Sequence, residues 1–321
     1  MTSQEQAQAG SADGAAAAFT SPQFQLDTDP LLSRATTVDR TEMTRDISQE
    51  DTMWWSHGRV LLVDVRGRTE VTGDNRLVYH PATEFGERPA AGAILLGVQD
   101  GVAYWALRAQ GDQRQSGWRD LRTAGGLLGD TDAGLLTTAV GLLAWHDRAR
   151  YCAVCGASTT RVRAGWARRC TGCDQEEYPR TDPSMISLIH DGTDHVLLAR
   201  QAGWPADRYS VLAGFVEVGE SLEACVRREV FEEVGLGVTD VRYLGSQPWP
   251  FPRSLMVGFA AVADPSVALQ PAAGEIDDAR WIHRDHVRAA LDADGPVQGL
   301  RLPPGISIAY RMLRGWATWP Y

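Results

Sequence analysis

The sequence has no lysine: all 31 basic residues among its 321 positions are arginine. Reactions that need a lysine amine, such as Schiff-base formation or phosphate binding by a P-loop, are therefore excluded. No apolar run approaches the roughly 20 residues that cross a bilayer. The first twenty residues lack a basic start and an apolar core. They predict a disordered tail over residues 1–23 rather than a secretory signal, and a cytoplasmic protein without a membrane partner.

An excess of positive charge is also absent, since the formal net charge is −10. This balance argues against a protein that binds nucleic acid chiefly through its overall field. Cysteine is scarce, with five in the chain, but four of them lie between residues 152 and 173. Such clustering in paired short spacings is typical of a cytosolic zinc site, whereas a secreted disulfide protein spreads its cysteines along the chain.

Three folded segments are expected after the tail, and together they predict an α+β protein. Residues 24–147 contain short apolar runs bounded by Gly, Pro and Asp, which predict a mixed α/β domain. This half carries no catalytic pattern, which indicates a structural or dimer-forming role. Residues 148–181 are too short for a core without a cross-link. Residues 182–321 predict a second domain with a hairpin at 185–200, a helix at 221–234, strands near 241–244 and 255–262, and a helix near 306–316.

The short middle segment contains two Cys-x-x-Cys pairs separated by fourteen residues: Cys152, Cys155, Cys170 and Cys173. Four thiolates around one Zn²⁺ give a closed tetrahedral structural site with no open position for water. The alternative, two disulfides or redox-active thiols, is disfavoured by a cytosolic setting. The lone Cys225 is expected to be a buried core thiol.

The same segment carries four arginines that are candidates for contact with RNA phosphates: Arg161, Arg163, Arg168 and Arg169. Three acidic residues follow at once, namely Asp174, Glu176 and Glu177. The arginines are therefore interpreted either as a phosphate-binding cluster or as ordinary solvated charges.

A glutamate-rich helix is predicted to carry the chemistry. Ser221 is suited to cap its start and Gly235 its end. Apolar residues recur at helical intervals along one side and are expected to face the core: Leu222, Cys225, Val226 and Val230.

Three carboxylates share one face of this helix, because Glu229, Glu232 and Glu233 stand at positions i, i+3 and i+4. Neighbouring anions repel one another unless cations neutralise them. Arg228 is expected to pair with Glu232, which leaves Glu229 and Glu233 as oxygen ligands for Mg²⁺ or Mn²⁺. For carboxylates alone, a solvated and salt-bridged helix face is the alternative.

The full spacing over residues 214–236 matches G-x5-E-x7-R-E-U-x-E-E-x-G-U, where U is aliphatic, at every fixed position. The segment thus resembles the Nudix box. The resemblance implies the Nudix fold, a mixed β-sheet between helices, over residues 182–321, and hydrolysis of a nucleoside diphosphate linked to another group. It also implies that Glu229 and Glu233 bind the catalytic metal, with Glu232 close by, Arg228 orienting the acids, and the carbonyl of Ala213 as a further ligand.

A second motif, Ser-Gln-Pro-Trp-Pro-Phe-Pro-Arg-Ser, spans residues 246–254. Its three prolines predict an extended, irregular segment, and Trp249 and Phe251 offer flat faces for stacking a base or nicotinamide. A rigid packed loop is the alternative. The motif resembles the signature of NADH pyrophosphatases, also described as NAD-capped RNA hydrolases. In that subfamily a four-cysteine zinc ribbon and a diverged N-terminal domain precede the Nudix domain.

This second resemblance implies a set of substrate contacts. The loop residues are Gln247, Pro248, Trp249, Pro250, Phe251, Pro252, Arg253 and Ser254. The remaining contacts are Tyr178 after the ribbon, Phe215 on the nicotinamide side, Ala309, and Arg119 of the first domain. Glu275 would be a further metal ligand. Relatives often place an acid before the ribbon tryptophan, whereas Gly165 precedes Trp166 here, which puts a substrate contact at that point in doubt.

The resemblance predicts an enzyme with catalytic Mg²⁺ or Mn²⁺ and structural Zn²⁺ that cleaves NAD(H) into nicotinamide mononucleotide and AMP. Glu232 or Glu233 would orient the attacking water or accept its proton. The same reaction on NAD-capped RNA is the alternative, favoured by the ribbon arginines and disfavoured by the net charge. Hydrolysis of ADP-ribose or diadenosine polyphosphates, and non-catalytic sensing of NAD(H), are less favoured. The resemblance also implies a homodimer.

Overall fold

A computed structural model describes residues 23–32, 38–40, 52–113 and 116–320. The tail predicted over residues 1–23 lies outside these ranges except for its last residue. Within them, no helix is both long enough and apolar enough to cross a membrane.

The first domain packs one long helix against a small mixed sheet. The sheet order is β3-β1-β5-β4, with β1 parallel to β5 and the other pairs antiparallel, and β2 pairs separately with β6. The elements are α1 (Thr52–Ser56), β1 (Arg59–Val63), β2 (Arg68–Glu70), β3 (His80–Pro81), β4 (Ile94–Gln99), β5 (Val102–Arg108), β6 (Trp118–Asp120), α2 (Leu121–Ala124) and α3 (Asp130–Arg148).

The middle segment forms a three-stranded antiparallel sheet, β7-β8-β9, with one cysteine pair ahead of β7 and the second at the end of β8. Its strands are β7 (Thr159–Val162), β8 (Ala167–Cys170) and β9 (Glu176–Glu177). A single turn of 3-10 helix, Arg163–Gly165, joins the first two strands.

The second domain is a six-stranded mixed sheet with helices on both faces. Five strands follow the order β13-β14-β10-β11-β15, and β12 pairs with β10 beside β11. The β10–β11 hairpin predicted around residue 191 is confirmed by the pairing of Ile189 with Leu197. The elements are β10 (Asp182–His190), β11 (His195–Gln201), β12 (Leu212–Phe215), α4 (Leu222–Val234), β13 (Thr239–Trp249), β14 (Ser254–Val262), β15 (Ile276–His283), α5 (Arg284–Leu291) and α6 (Ile308–Thr318).

Two apolar cores lie on opposite faces of this sheet. The helix α4 buries Cys225, Val226 and Val230 against one face, as its apolar spacing predicted. The helices α5 and α6 cover the other face, where Trp316 is fully buried. Burial of apolar side chains on both faces holds the sheet rigid between its helices, so residues at the strand ends are fixed relative to α4.

An N-terminal strap, residues 23–32, crosses from the first domain to the second. Phe24 is fully buried in the core beneath α6, and its carbonyl accepts a hydrogen bond of 2.9 Å from Arg242. Asp27 forms ion pairs with Arg311 and Arg314 of α6. The first part of the segment predicted to open the N-terminal domain therefore packs on the second domain, because its aromatic side chain is buried there.

Candidate active site

The glutamate helix α4 begins and ends where its capping residues predict. The Oγ atom of Ser221 accepts a hydrogen bond of 3.2 Å from the backbone N–H of Ala224, and Gly235 closes the helix at a left-handed φ of 75°. Both caps satisfy backbone groups that a helix end leaves unpaired. The two caps thus fix the first and last residues of the helix that carries the carboxylates.

Gly214 of β12 forms a cradle for the carboxyl group of Glu229. A Cβ atom on residue 214 would overlap the carboxyl carbon and both oxygens of Glu229, so only glycine allows this approach. The carbonyl of Gly214 accepts a hydrogen bond of 2.9 Å from the Oγ of Ser184 on the adjacent strand β10. Ala213, whose carbonyl is a predicted metal ligand, precedes Gly214 in β12 and pairs with Ile186 of β10.

Glu233 is the buried member of the carboxylate group, with 1% of its surface exposed. Its Oε2 atom has no hydrogen-bond partner within the described residues. Burial, together with the negative charges of Glu229 and Glu275, raises the pKa of Glu233 to about 8. Burial also raises the pKa of Glu229, to which the charges of Glu232 and Glu275 contribute. The predicted ligands therefore lie close enough that the charge of one raises the pKa of another.

The oxygen atoms of Glu229, Glu233 and Glu275 are not all within 4.8 Å of one another. Within the described ranges, the cysteines alone make up a group of three or more ligand residues whose atoms lie within 4.8 Å of one another. Unpaired carboxylates repel each other, and a buried carboxylate with an unpartnered oxygen is costly without a cation. The donor set, all oxygen, suits a hard divalent cation.

Arg228 connects three acids rather than one. Its guanidinium donates to both carboxylate oxygens of Glu220 at 2.8 and 2.9 Å and to Glu232 at 2.9 Å, and it lies 3.0 Å from Glu229. The pairing with Glu232 is present, but the expectation that Glu229 is left out is wrong. A guanidinium offers five N–H donors in a planar fork, so one side chain can bridge several carboxylates.

Glu220 is a site residue to which the sequence reasoning gave no role, although it occupies a fixed position of the Nudix box. Hydrogen bonds from Arg228 are the largest cause that lowers its pKa, to about 2. Arg228 also donates to the carbonyl of Phe215 at 2.9 Å. The pair thus ties α4 to the loop that precedes it, and the regular distance between the two box positions was the signal for it.

The four cysteines of the middle segment converge as their spacing predicted. The Sγ atoms of Cys152 and Cys173 are 3.7 Å apart, and those of Cys155 and Cys170 are 3.4 Å apart. These distances exceed the disulfide bond length of about 2.05 Å, so the thiols are not cross-linked. The backbone N–H groups of Cys173 and Gly172 donate to the Sγ of Cys170 and lower its pKa to about 6. Four thiols arranged in this way suit one structural Zn²⁺.

The ribbon arginines make contacts within the protein. Arg161 donates to the carbonyl of Gly92, and Arg168 donates to Thr159 and to the Nδ1 of His146. Arg163 and Arg169 both form ion pairs with Glu176. The acidic residues that follow the arginines are thus partners for two of them, and the interpretation of the four as a phosphate-binding cluster loses its main support.

Gln247 lines a cavity of about 270 Å³ that is also bordered by Ile186 of β10 and Met256 of β14. The residue is fully buried, its amide N–H donates to the carbonyl of Ile306 at 2.8 Å, and its amide oxygen accepts from Ile308 at 2.6 Å. Both ends of the amide are therefore engaged by the segment that begins α6. Gln247 positions this segment, and with it Ala309, which is buried and also lines the cavity.

The proline-rich motif is more regular than predicted at its start. Residues up to Trp249 belong to the edge strand β13, and Pro248 lies opposite Leu255 of β14. Proline is tolerated there because an edge strand has one unpaired side. Only residues 250–253 form the turn, which contains Pro250 and Pro252 and lies between the two strands.

The two aromatic rings of the motif face the first domain. Trp249 and Phe251 contact each other edge to face at 5.0 Å and pack on the core of that domain. The guanidinium of Arg122 lies 4.0 Å from the centre of the Phe251 ring and 5.4 Å from that of Trp249. Trp249 remains in the lining of the 270 Å³ cavity, whereas Phe251 does not.

The other predicted contacts are more dispersed. Phe215 ends β12 with 56% of its surface exposed, and Tyr178 is 52% exposed and donates to Glu176. Arg253 pairs with Asp182 at 2.7 Å, and the buried Ser254 opens β14 beside it. Arg253 and Ser254 line a cavity together with Trp249, and Phe215 and Tyr178 lie outside that lining.

Arg119 lies apart from the cavities that border the motif. It stands on β6 and donates to Asn75 at 3.4 Å within the first domain. The arginine of that domain that stacks on the motif is Arg122, three residues later on α2. The sequence did not indicate it, because nothing local distinguishes the two arginines. Gly165 has a φ of +93°, and a Cβ atom on it would lie 2.9 Å from Ile94, so an acid at this position would be strained and crowded.

Comparison with known proteins accounts for most of the chain. Models of the NUDIX domain, the NADH pyrophosphatase zinc ribbon domain and the NADH pyrophosphatase-like rudimentary NUDIX domain match residues 180–300, 147–178 and 53–145. The chain is 46% identical over 305 residues to the NAD-capped RNA hydrolase NudC of Mycobacterium bovis (strain BCG / Pasteur 1173P2), covering 92% of this chain and 97% of that protein. It is 40% identical over 206 residues to the human mitochondrial NAD(P)H pyrophosphatase NUDT13, covering 61% and 58%.

The matched segments confirm the predicted α+β architecture of a Nudix domain, a four-cysteine ribbon and a mixed N-terminal domain. With nearly full-length identity of this degree, the chain belongs to the NudC-like Nudix hydrolases, in which a zinc ribbon and a rudimentary Nudix-like domain precede the catalytic fold.

Proposed function

We propose that this protein hydrolyses the pyrophosphate bond of NAD(H), releasing nicotinamide mononucleotide and AMP, with Mg²⁺ or Mn²⁺ as catalytic metal. The observation that carries the proposal is Glu233. Its carboxylate is buried, one of its oxygens has no hydrogen-bond partner within the described chain, and the charges of Glu229 and Glu275 act on it. Such a carboxylate is stable in its ionised form only beside a cation.

The residues that would hold the cation are Glu229, Glu233, Glu275 and the carbonyl of Ala213. When bound, the metal supplies positive charge to the pyrophosphate oxygens and makes water a stronger nucleophile. Phosphoryl transfer needs positioned charge more than a covalent nucleophile, which agrees with a site built from acids and a backbone carbonyl.

Each helix residue then has a distinct task. Arg228 holds Glu220, Glu229 and Glu232 in place through its guanidinium. The side chain of Glu232 is 56% exposed, so it can reach the attacking water and accept its proton more readily than the buried Glu233. Gly214 fixes Glu229 against β12.

A nucleoside half of the substrate would occupy the 270 Å³ cavity. Ile186, which pairs with Ala213, lies in its lining, so the cavity begins beside a proposed metal ligand. Trp249 offers a flat ring and Gln247 and Ala309 form the base. Phe215 and Tyr178, both exposed, are the aromatic residues available for the nicotinamide side.

NAD-capped RNA is the second candidate substrate. The observation that favours it is that the relative with 46% identity over nearly the whole chain is an NAD-capped RNA hydrolase. The reaction is the same, because the cap contains the same pyrophosphate bond. The ribbon arginines, which are engaged within the protein, do not add to this candidate.

The test is product chromatography after incubation with NADH and Mn²⁺ or Mg²⁺, with and without chelator, for the wild type and Glu233→Gln. We expect equal amounts of nicotinamide mononucleotide and AMP, loss of both with chelator, and at least a hundredfold slower reaction for the variant. Binding of NADH without products would indicate a sensor. Turnover restricted to ADP-ribose or diadenosine polyphosphates would replace the proposal.

A comparison of free NADH with an NAD-capped transcript across a salt series separates the two candidates, since contacts with an RNA backbone weaken as salt rises. A homodimer and a cytoplasmic location remain predictions. Light scattering on the purified protein tests the homodimer.

A further inference from the structure

The 270 Å³ cavity beside the catalytic strands carries two arginines and no acid. Arg122 enters from the first domain and Arg208 from the loop between β11 and β12, and none of the other lining residues is charged. The lining is positively charged although the protein has a formal net charge of −10. Its electrostatic character therefore favours an anion.

Both guanidiniums are held by aromatic rings instead of carboxylates. Arg122 lies over Phe251 at 4.0 Å, and Arg208 lies over Trp204 at 4.3 Å. Within the described residues, neither side chain forms an ion pair or a hydrogen bond. The acid next to Arg208, Asp207, is engaged by Arg301 at 3.1 Å. Stacking orients a guanidinium while leaving its N–H donors available.

Several arginines near functional segments are paired with carboxylates. Arg228 is bound by three glutamates, Arg253 by Asp182 and Arg169 by Glu176. The lining of this cavity contains no carboxylate beside Arg122 and Arg208, although Arg122 also borders a second cavity that contains Asp120 and Asp147. Guanidiniums bind phosphate through two parallel hydrogen bonds, which gives them strong selectivity for this group.

We infer that Arg122 and Arg208 bind a phosphate group attached to a ribose of the dinucleotide, in addition to the pyrophosphate that is cleaved. The inference rests on the proposed function. The pyrophosphate belongs with the carboxylates and their cation, and NADH has no further anionic group for the two arginines to bind. A substrate with a ribose phosphate supplies one, either as a 2′-phosphomonoester or as the 3′-phosphodiester that begins an RNA chain.

The test measures kcat/KM for NADH, NADPH and a short NAD-capped oligonucleotide in the wild type and in Arg122→Gln and Arg208→Gln. We expect each variant to lose roughly tenfold or more in kcat/KM for a phosphate-bearing substrate relative to NADH, since a charge-assisted contact is removed. Loss with NADPH alone assigns the 2′-phosphomonoester, loss with the oligonucleotide alone assigns the 3′-phosphodiester, and loss with both assigns both.

Two further variants separate loss of phosphate binding from a change in the packing of the aromatic rings on which the arginines stack. Arg122→Lys keeps the positive charge and should restore part of the preference, whereas a packing defect would lower the rate for all substrates equally. Arg76→Gln, at an exposed turn of the first domain, is the matched control. Unchanged ratios in both glutamine variants would overturn the inference even if NADH is hydrolysed, and loss of NADH hydrolysis by the wild type would instead refute the proposed function.

Discussion

The carboxyl group of Glu229 lies directly against the backbone of Gly214, where a side chain would overlap it. The two residues belong to α4 and β12, so their contact sets how closely the catalytic helix approaches the strand that carries Ala213. The absence of a side chain at Gly214 therefore determines the spacing between the carboxylate of Glu229 and the carbonyl of Ala213, which are both proposed to bind metal.

Replacing this glycine tests that relationship. Gly214→Ala should displace Glu229 and lower kcat by about a hundredfold, because misplacing a catalytic group by about 1 Å has effects of that order. Steady-state kinetics with saturating metal measure it, and the melting temperature reports whether the fold persists. Gly237→Ala is the matched control, since a Cβ atom there meets nothing within 4 Å. Equal activity of the two variants would contradict the cradle.

Acid should destabilise the interface between the first domain and the ribbon through His146. Its Nδ1 accepts a hydrogen bond from Arg168, which can only donate, and its Nε2 donates to the carbonyl of Gly165, so the ring is neutral. Burial, followed by the charge of Arg161, lowers its pKa to about 4.

Because this folded-state pKa lies below the unfolded value of 6.5, the contribution to stability is complete above pH 6.5 and is lost as pH falls towards 4. It amounts to about 3 kcal/mol at most. Chemical denaturation at pH 7 and pH 5 should show a smaller pH dependence for His146→Gln than for the wild type. An identical pH slope in the two proteins would show that His146 does not titrate in this way.

Removal of zinc should unfold the ribbon. The four cysteines would join the two turns of the ribbon through one Zn²⁺. In small domains of this kind, metal binding is coupled to folding. We expect Cys155→Ser to bind less than one equivalent of zinc by atomic absorption and to melt at a lower temperature, while the Cys225→Ser variant keeps one equivalent. A mass lower by two hydrogens per cysteine pair in the denatured wild type would indicate disulfides instead.

Gln247 should act through the position of α6. Gln247→Leu leaves the carbonyl of Ile306 and the N–H of Ile308 without a partner, which costs about 1–3 kcal/mol in the free energy of unfolding. Since Ala309 follows these residues in the cavity lining, the KM for NADH should rise more than kcat falls. Gln247→Glu still accepts from Ile308 but sets a buried carboxylate oxygen against the carbonyl of Ile306, so it should not restore stability at neutral pH. A change in kcat alone would argue for direct participation in the reaction.

Features that depend on residues close together in the chain could be predicted from the sequence. The helix caps, the cysteine spacing and the apolar side of α4 were predicted because each depends on residues a few positions apart. The contact between Arg228 and Glu229 was missed because neighbouring helix positions ordinarily point apart, and the reach of a long guanidinium overrides this rule.

Contacts between distant segments were not readable. The sequence suggested Arg119 as the arginine of the first domain, yet Arg122 reaches the proline-rich motif, because the packing of one domain on another decides which side chain arrives there. In the same way, Gln247 was expected to touch substrate, whereas its amide is occupied by residues about 60 positions later in the chain. Such choices depend on the assembled fold.

The N-terminal strap has a consequence for the synthesis of the protein. Phe24 is covered by a core that includes Trp316 of α6, and the backbone at Gln25 lies where a side chain on Gly315 would stand. Phe24 lies far ahead of α6 in the chain, so its ring cannot be shielded from water until α6 has been synthesised. The catalytic domain reaches its final packing only after α6 has been synthesised, and until then Phe24 is an apolar group that a chaperone can bind.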